Sequence, residues 1–273
     1  MDRFELDWDG VVAATGEFIR KQIDAAGRAR GVIGLSGGID SSVSAYLTAR
    51  AIGADRLMAL MMPYRTSSPE SLADATLVAE ALGIEHEVIE ITPMVDAYFG
   101  LFPDAGRLRR ANMMARQRMA VLYDQSERLD ALVVGTGNRT EALLGYTTMW
   151  GDMACAFNPV GGLYKSQVRA LARHLGVPER IIAKPPTADL WSGQTDEGEL
   201  GFTYAEADRL LIDLVERRLS QAELLAAGHA PELVARVRRM IVSSQFKRRM
   251  PVIAKLTDRT INWDFRYPRD WTS

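Results

Sequence analysis

The polar residues best suited to chemistry lie in one short stretch, Gly34-Leu-Ser-Gly-Gly-Ile-Asp-Ser41, between an apolar run and a helical pattern. Two adjacent glycines at a strand-to-helix turn let the backbone approach a ligand and adopt angles that other residues avoid. The free N–H groups of such a turn favour an anion, and the hydroxyls of Ser36, Ser41 and Ser42 add donors. Asp40 would repel a bare phosphate but suits magnesium. The stretch therefore predicts a nucleotide phosphate tail bound with its metal.

The composition argues against several other kinds of chemistry. The chain has 273 residues and one cysteine, Cys155, so it cannot form an internal disulfide or a redox cysteine pair. Its three histidines, His86, His174 and His229, lack metal-ligand spacing, and no structural zinc site is expected. The formal net charge of -2 gives no electrostatic reason to expect nucleic acid as a partner. Small anionic ligands are the better match.

The elements that must position the glycine-rich stretch follow an alternating pattern. Segments with helical spacing separate the short apolar runs typical of strands, which lie at residues 31–35, 57–62, 87–91 and 131–135. This alternation predicts an α/β fold with a parallel sheet covered by helices. One helix should follow the glycine-rich stretch and end at Gly53. Further helices are expected over residues 69–82, 108–129 and 165–175.

The ends of the chain also carry structural signals. Residues 8–27 place an apolar set near one helical face, which favours burial in the intrachain core over a dimer interface: Val11, Val12, Ala14, Phe18, Ile19 and Ile23. Residues 184–201 are rich in turn formers and acidic residues, and a mobile surface loop is expected there. Residues 204–246 are predicted to be helical. Because no repeat or linker divides the sequence, one domain over residues 1–273 is expected.

Hydropathy gives no reason to expect a membrane partner. No apolar run approaches the roughly 18 residues needed to cross a bilayer. The first ten residues are acidic where a signal peptide would be basic. We therefore expect a soluble, cytoplasmic protein.

The extended motif SGGIDSS, residues 36–42, resembles the phosphate-binding loop of the ATP pyrophosphatase superfamily. It does not match the GxxxxGK[ST] loop or the GxGxxG dinucleotide fingerprint. Members of this superfamily cleave ATP between the α and β phosphates and activate a carboxyl or carbonyl oxygen as an adenylate. The resemblance implies AMP and pyrophosphate as products, with the glycine loop holding the pyrophosphate.

Five further stretches are similar to the NAD synthetase family within this superfamily. They follow the family order, at residues 112–119 (NMMARQRM), 135–141 (GTGNRTE), 163–168 (LYKSQV), 186–191 (PTADLW) and 245–251 (QFKRRMP). The resemblance implies a three-layer Rossmann-like (adenine nucleotide alpha hydrolase-like) fold with helices on both faces of a parallel sheet. It also implies amidation of nicotinic acid adenine dinucleotide to NAD, with ATP as co-substrate and magnesium as cofactor.

The resemblance also implies roles for individual residues. The ATP-binding residues would be Gly34, Leu35, Ser36, Gly37, Gly38, Ile39, Asp40, Ser41, Thr136, Lys165 and Thr187. Asp40 and Glu141 would hold magnesium, and Arg116 and Lys247 would contact the dinucleotide. Asp40 and Lys165 are the candidate catalytic residues. A lysine suits this role because its charge offsets that on the leaving pyrophosphate.

Three positions depart from the family pattern. Met149 stands where many ammonia-using members have a lysine, and Ala156 stands where they have a substrate-binding aspartate. Phe246 replaces the histidine that often precedes the C-terminal lysine. These contacts to the nicotinate end cannot be transferred from the family.

The function expected from the resemblance is a two-step ligation. The nicotinate carboxylate attacks the α-phosphate of ATP, and ammonia then attacks the resulting adenylate. Ammonia is expected as the nitrogen source because no glutaminase domain is present, although a separate amidase could supply it, and a homodimer is implied by the family. The alternatives are another ATP pyrophosphatase, such as a tRNA-modifying enzyme, and a non-catalytic nucleotide-sensing module. The single cysteine and the slightly negative net charge argue against a tRNA-modifying enzyme.

Overall fold

A computed structural model describes residues 6–187, 189, 191 and 193–258 of the chain. Its central sheet consists of β1 (Arg30–Gly34), β2 (Leu57–Met61), β3 (Glu85–Val88) and β4 (Ala131–Val134). The strands lie in the order β3-β2-β1-β4, and neighbouring strands are parallel. The strand order therefore reverses between β1 and β4, which is where open α/β sheets bind their ligands.

Helices connect and cover the strands. Those around the sheet are α1 (Trp8–Ala25), α2 (Ile39–Ile52), α3 (Pro69–Leu82), α4 (Thr92–Gly100), α5 (Arg107–Arg128), α6 (Arg139–Leu144), α7 (Lys165–Leu175) and α8 (Glu179–Ala183). The others are α9 (Asp196–Leu200), α10 (Tyr204–Leu211), α11 (Gln221–Ala226) and α12 (Pro231–Ser243). Short 3-10 turns cover Ala54–Arg56 and Gln245–Arg248, and a π-helical turn covers Ile212–Glu216. None of the described helices is both long and apolar enough to cross a lipid bilayer.

Side chains of the sheet face two separate apolar cores. In β1, Ile33 joins a core with α1, α2, α3 and α7, whereas Val32 joins a core with α4 and α5. Successive strand residues point to opposite faces, so one buried strand supplies both cores. A third core lies among α6 and α9 to α12. The predicted three-layer α/β fold is confirmed.

Several predicted boundaries are confirmed, and one strand differs. α7 has the expected bounds, and α3 begins after its N-cap Ser68 and ends at Gly83, which has a left-handed φ of 64°. β3 begins two residues before the predicted run at 87–91, and its side chains are exposed. It is an edge strand with charged side chains, so the apolar run did not mark its start. The pairing continues past β3, where Ile89 donates to the Met61 carbonyl at 2.8 Å.

One helical prediction is confirmed and another needs correction. The segment 204–246 is mainly helical as predicted, but it is divided into several helices, because Ser220 begins α11 with a capping box, Gly228 has φ +83° and Pro231 begins α12. On α1, Ile19 and Ile23 are buried in the intrachain core, but Ala14 and Phe18 are exposed. The apolar face is thus narrower than predicted.

The described part of the segment 184–201 is more buried than the expected surface loop. Its last part forms α9, and Gln194, Asp196 and Leu200 are buried. The acidic side chains find hydrogen bonds inside the protein, which the turn-rich composition did not indicate. Three residues of this segment, Ala188, Leu190 and Ser192, lie outside the described residues, as do residues 1–5 and 259–273. One domain over the whole chain therefore stays a prediction.

Candidate active site

The glycine loop follows β1 and begins α2. Gly37 has φ +75°, and a Cβ there would lie 2.3 Å from the Ser71 carbonyl oxygen of α3. The loop is therefore in direct contact with α3, which only glycine permits. The Ser41 and Ser42 hydroxyls donate to the Gly38 carbonyl at 3.0 Å and 2.8 Å. Ser42 is fully buried, so it shapes the loop and does not add the expected donor to the cavity.

A cavity of about 540 Å³ opens beside the glycine loop and the end of β4. All residues predicted to bind ATP line it except Gly37, whose backbone packs against α3. Glu141 and Lys247 line it as well, whereas Arg116 does not. The carboxyl ends of β1 and β4 thus bring together residues that are about a hundred positions apart in the chain.

Lys165 joins the two predicted metal ligands. Its Nζ contacts Asp40 Oδ2 and lies 3.2 Å from Glu141 Oε1. The lysine side chain is 3% exposed, and those of Asp40 and Glu141 are 17% and 15% exposed. Burial opposes its charge, but the two carboxylates outweigh this and raise the pKa of Lys165 above its ordinary value. Two acids and one base leave the group one negative charge in excess when all three are ionised.

Asn138 was not predicted as a site residue, yet its hydrogen bonds hold both carboxylates of this group in place. Asn138 is fully buried and forms a capping box with Glu141. The Asn138 Oδ1 accepts from the Glu141 N–H at 3.0 Å, and the Glu141 Oε2 accepts from the Asn138 N–H at 3.2 Å. Its Nδ2 donates to Asp40 Oδ1 at 2.9 Å. The N-x-x-E spacing of a capping box was the sequence signal for the first of these contacts.

We expect Asn138→Ala to lower the free energy of unfolding by about 1–3 kcal/mol, because it removes a helix cap and a hydrogen bond to a carboxylate. It should also reduce activity, since Asp40 loses a fixed donor. Asn138→Ser is the matched control, because serine can cap α6 without donating an amide to Asp40. Denaturant unfolding and steady-state assays check both variants. Full activity in Asn138→Ser would contradict a role for the Asp40 contact.

Glu141 is a carboxylic acid whose pKa lies close to neutrality in the folded protein. Burial raises its pKa to about 7; Lys165 opposes the shift and Asp40 adds to it. Asp40 and Glu141 supply carboxylate oxygens to one cavity, which suits magnesium because this ion takes one or two carboxylates together with substrate phosphates. Among the described residues, no group of three or more His, Cys, Asp or Glu residues could hold a metal. The two carboxylates of Asp40 and Glu141 suit a metal ion whose other ligands are substrate phosphates and water.

The raised pKa of Glu141 predicts a pH dependence of stability. Between pH 4.5 and about 7 the folded protein holds a proton that the unfolded chain has lost, so stability falls as the pH rises through this window. Glu141→Gln cannot titrate and should lack this component. The measurement is denaturant unfolding of both proteins without nucleotide or magnesium at about pH 5 and about pH 8. An equal change in the free energy of unfolding between the two pH values for both proteins would contradict the prediction.

A family model described as NAD synthase matches residues 11–251. The chain belongs to the NAD synthase family. It is 56% identical over 254 residues to the NH(3)-dependent NAD(+) synthetase of Trichlorobacter lovleyi, covering 93% of each chain. It is 55% identical over 266 residues to the protein of the same name from Chlorobaculum parvum, covering 97% of this chain and 96% of the relative.

Solved structures of related proteins have the same fold. The NMN synthetase from Francisella tularensis superposes with a TM-score of 0.82 at 31% identity, covering 92% of this chain and 99% of that one. The NH3-dependent NAD synthetase from Campylobacter jejuni superposes with a TM-score of 0.79 at 34% identity, covering 91% and 99%. The NAD synthase fold predicted from the motifs is therefore confirmed.

The two residues predicted to touch the dinucleotide occupy different environments in this NAD synthase fold. Lys247 lines the cavity and donates to the carbonyls of Gly145 and Thr147 at 2.8 Å and 2.7 Å. Burial lowers the pKa of Lys247, and Asp152 opposes this. Arg116 is exposed outside the cavity, where it donates to the Met149 carbonyl at 3.3 Å. Its role in substrate binding stays a prediction.

Arg118, two residues after Arg116, is the arginine that lines the cavity. It donates to the Met62 carbonyl at 2.9 Å, and burial lowers its pKa. Helical residues two positions apart point in nearly opposite directions. The buried Met114 and Val121 of α5 lie four residues before and three after Arg118, so helical spacing places Arg118 on the buried face of α5. The family motif alone did not identify Arg118 as the arginine at the cavity.

The positions that depart from the NAD synthase pattern lie away from the cavity in the described part of the chain. Met149, Ala156 and Phe246 are absent from the cavity wall, and Phe246 is 59% exposed.

Of two buried acidic residues in the C-terminal part, Asp208 was missed, whereas Asp196 belongs to the acidic segment 184–201 noted from the sequence. Asp208 is buried on α10 and accepts from the Thr140 hydroxyl at 2.5 Å and from the Ser166 N–H at 2.7 Å. It therefore ties the first turns of α6 and α7, which carry Glu141 and Lys165. Asp196 is buried in the cavity wall and accepts from the Tyr204 hydroxyl at 3.0 Å. No motif marked Asp208, whereas the acidic composition of its segment marked Asp196.

Proposed function

We propose that this protein is an ammonia-dependent NAD synthetase, which converts nicotinic acid adenine dinucleotide to NAD with consumption of ATP. The observation that carries this function is the meeting of Lys165, Asp40 and Glu141 beside the glycine loop in one large cavity. A buried lysine between two partly buried carboxylates at a phosphate-binding turn suits phosphoryl chemistry with a metal nucleotide. Curated relatives more than half identical in sequence are named for this reaction.

The first step joins the two substrates. The nicotinate carboxylate attacks the α-phosphate of ATP, and the bond between the α and β phosphates breaks. The products of this step are a dinucleotide adenylate and pyrophosphate. The N–H groups of the glycine loop and the Lys165 ammonium stabilise the charge that develops on pyrophosphate. Thr136 and Thr187 line the same cavity and are proposed to hold ATP. The protein contributes position and charge rather than a covalent intermediate.

The second step forms the amide. Ammonia attacks the activated carbonyl, AMP leaves, and a proton is lost from nitrogen. Magnesium, when bound, neutralises phosphate charge and polarises the phosphoryl group. Asp40 and Glu141 are the residues proposed to hold it. The segment around Asp196 and Glu199 forms part of the cavity wall and limits the access of water to the adenylate.

Further features of the proposal concern partners. Lys247 and Arg116 are proposed to contact the dinucleotide, and two copies of the chain are proposed to form a homodimer in the cytoplasm. Free ammonia is the proposed nitrogen source, because the relatives named for ammonia align over almost their whole length. A separate amidase that supplies ammonia is the alternative.

One incubation tests the function. Nicotinic acid adenine dinucleotide, ATP and magnesium are combined with ammonium or with glutamine, and NAD, AMP and ADP are quantified. We expect equal amounts of NAD and AMP with ammonium and little product with glutamine. ADP formation, or AMP formation without the dinucleotide, would overturn the proposal. Binding of ATP without turnover would instead indicate a nucleotide-sensing module.

A second substrate defines the specificity. The fold is also that of a protein described as an NMN synthetase. Nicotinic acid mononucleotide therefore serves as the competing substrate in the same assay. We expect a higher kcat/KM for the dinucleotide, and the reverse order would replace NAD synthetase by the mononucleotide enzyme.

A further inference from the structure

A second lysine, Lys184, lines the cavity at the glycine loop. It follows α8, and its Nζ donates to Asp74 Oδ2 at 2.7 Å and to the Ser71 hydroxyl at 3.2 Å. Both partners belong to α3. The lysine side chain is 21% exposed, whereas that of Asp74 is 3% exposed. A buried carboxylate thus holds a lysine whose side chain reaches the cavity.

The contacts of Gly37 place this lysine at the phosphate end of the cavity. A Cβ on Gly37 would lie 2.3 Å from the Ser71 carbonyl oxygen and 2.9 Å from Asp74 Cβ. The residues that hold Lys184 are therefore the residues against which the glycine loop packs. Lys184 is consequently fixed beside the turn that is proposed to bind pyrophosphate.

The charge balance at Lys184 is opposite to that at Lys165. Asp74 pairs with Lys184 and also with Arg180, whose Nε lies 2.7 Å from Asp74 Oδ1. Two cations and one acid leave one positive charge in excess, whereas Lys165 with its two acids has one negative charge in excess when all three groups are ionised. The first arrangement favours an anion and the second a metal ion.

We propose that Lys184 binds the pyrophosphate portion of ATP and that Asp74 is its positioning residue. This assignment rests on the proposed function, because it presumes cleavage of ATP to AMP and pyrophosphate. Lys184 acts with the loop amides and Lys165 to offset the charge of the leaving group. A lysine is suited to this contact because its ammonium acts as a point charge for phosphate oxygens.

Calorimetric titration of the full chain with inorganic pyrophosphate and magnesium tests the assignment, and AMP serves as the control ligand. We expect Lys184→Gln to weaken pyrophosphate binding by about tenfold to a hundredfold, as for a lost hydrogen bond to a charged group. AMP binding should change by less than about twofold. Lys184→Arg should retain most of the pyrophosphate affinity.

Arg180→Gln is the matched control for net charge. It removes one cation from the same carboxylate, but Arg180 is 60% exposed and is absent from the cavity wall among the described residues. Its effect on pyrophosphate binding should therefore stay below about threefold. Equal effects of Arg180→Gln and Lys184→Gln would overturn direct contact by Lys184. Wild-type pyrophosphate affinity in folded Lys184→Gln would overturn it too, as would equal weakening of AMP and pyrophosphate.

A double-mutant cycle tests the role of Asp74. Asp74→Asn should weaken pyrophosphate binding when Lys184 is present and have little further effect in Lys184→Gln. Equal effects in both backgrounds would contradict a positioning role.

Failure of this assignment and failure of the proposed function are distinguishable. If the protein binds pyrophosphate through Lys184 but forms no NAD, only the proposed function is overturned. If the protein forms NAD and Lys184→Gln binds pyrophosphate with the wild-type affinity, only this assignment is overturned.

Discussion

Asp40→Asn should lower kcat by about a hundredfold to a thousandfold, as for the loss of a group that stabilises developing charge, and leave the fold intact. Asp40 Oδ1 accepts from Asn138, and Oδ2 contacts the Lys165 ammonium. Asparagine has the same shape but offers one oxygen, so an NH2 group must face one of two donors. The substitution also removes a carboxylate that is proposed to hold magnesium. AMP release and circular dichroism are the measurements.

The same substitution at Asp96 is the control for this prediction. Asp96 accepts from the Tyr64 hydroxyl at 2.7 Å and pairs with Arg65, and it is not one of the described residues that line the cavity. Asp96→Asn should therefore leave turnover within about twofold of the wild type. Folded Asp40→Asn with wild-type turnover would remove Asp40 from the proposed metal site.

Gly37→Ala should lower the free energy of unfolding by about 2–4 kcal/mol, because left-handed backbone strain and a steric clash act together. The added Cβ would meet the backbone of Ser71 at 2.3 Å, and backbone cannot move aside as a side chain can. ATP affinity should fall as well, since the loop must shift away from α3 and Lys184. Denaturant unfolding and ATP titration check the two effects.

Gly83→Ala separates strain from clash. Gly83 also has a positive φ, +64°, but a Cβ there would meet nothing within 4 Å. Its replacement should cost only about 1–2 kcal/mol, the conformational part alone, and leave ATP affinity unchanged. If Gly37→Ala is no more destabilising than Gly83→Ala, close packing of the loop on α3 is not the constraint.

The sequence predicted the bounds of helices best where the residues at their ends are themselves start or stop signals. Pro69 and Gly83 mark the ends of α3, and Gly53 follows α2 as expected. β3 was placed too late because an edge strand needs no apolar side chains, and its exposed Glu85 and Glu87 carry no strand signal. The position of an element in the sheet, rather than its own sequence, decided that outcome.

The site could be predicted only in part, for a related reason. Asp40 follows from its own loop, but its contact with Lys165 joins residues 125 positions apart, and the family resemblance implied only that both act at ATP. Asn138 had a readable capping signal for Glu141 and none for Asp40. Asp74 and Lys184 meet only after α3 and α8 have packed on the sheet, and neither belongs to a pattern along the chain.

The hydrogen bonds of Asp208 bear on the smallest fragment that could bind a nucleotide. Every residue predicted to bind ATP lies before residue 188, so a truncated chain would retain all of them. Such a fragment would lack α10 and with it the carboxylate that fixes Thr140 and the Ser166 N–H. It would also leave the apolar sides of Leu144 and Tyr164 without their partners in the third core. The C-terminal helices therefore support the proposed nucleotide site, although none of the proposed ATP ligands comes from them.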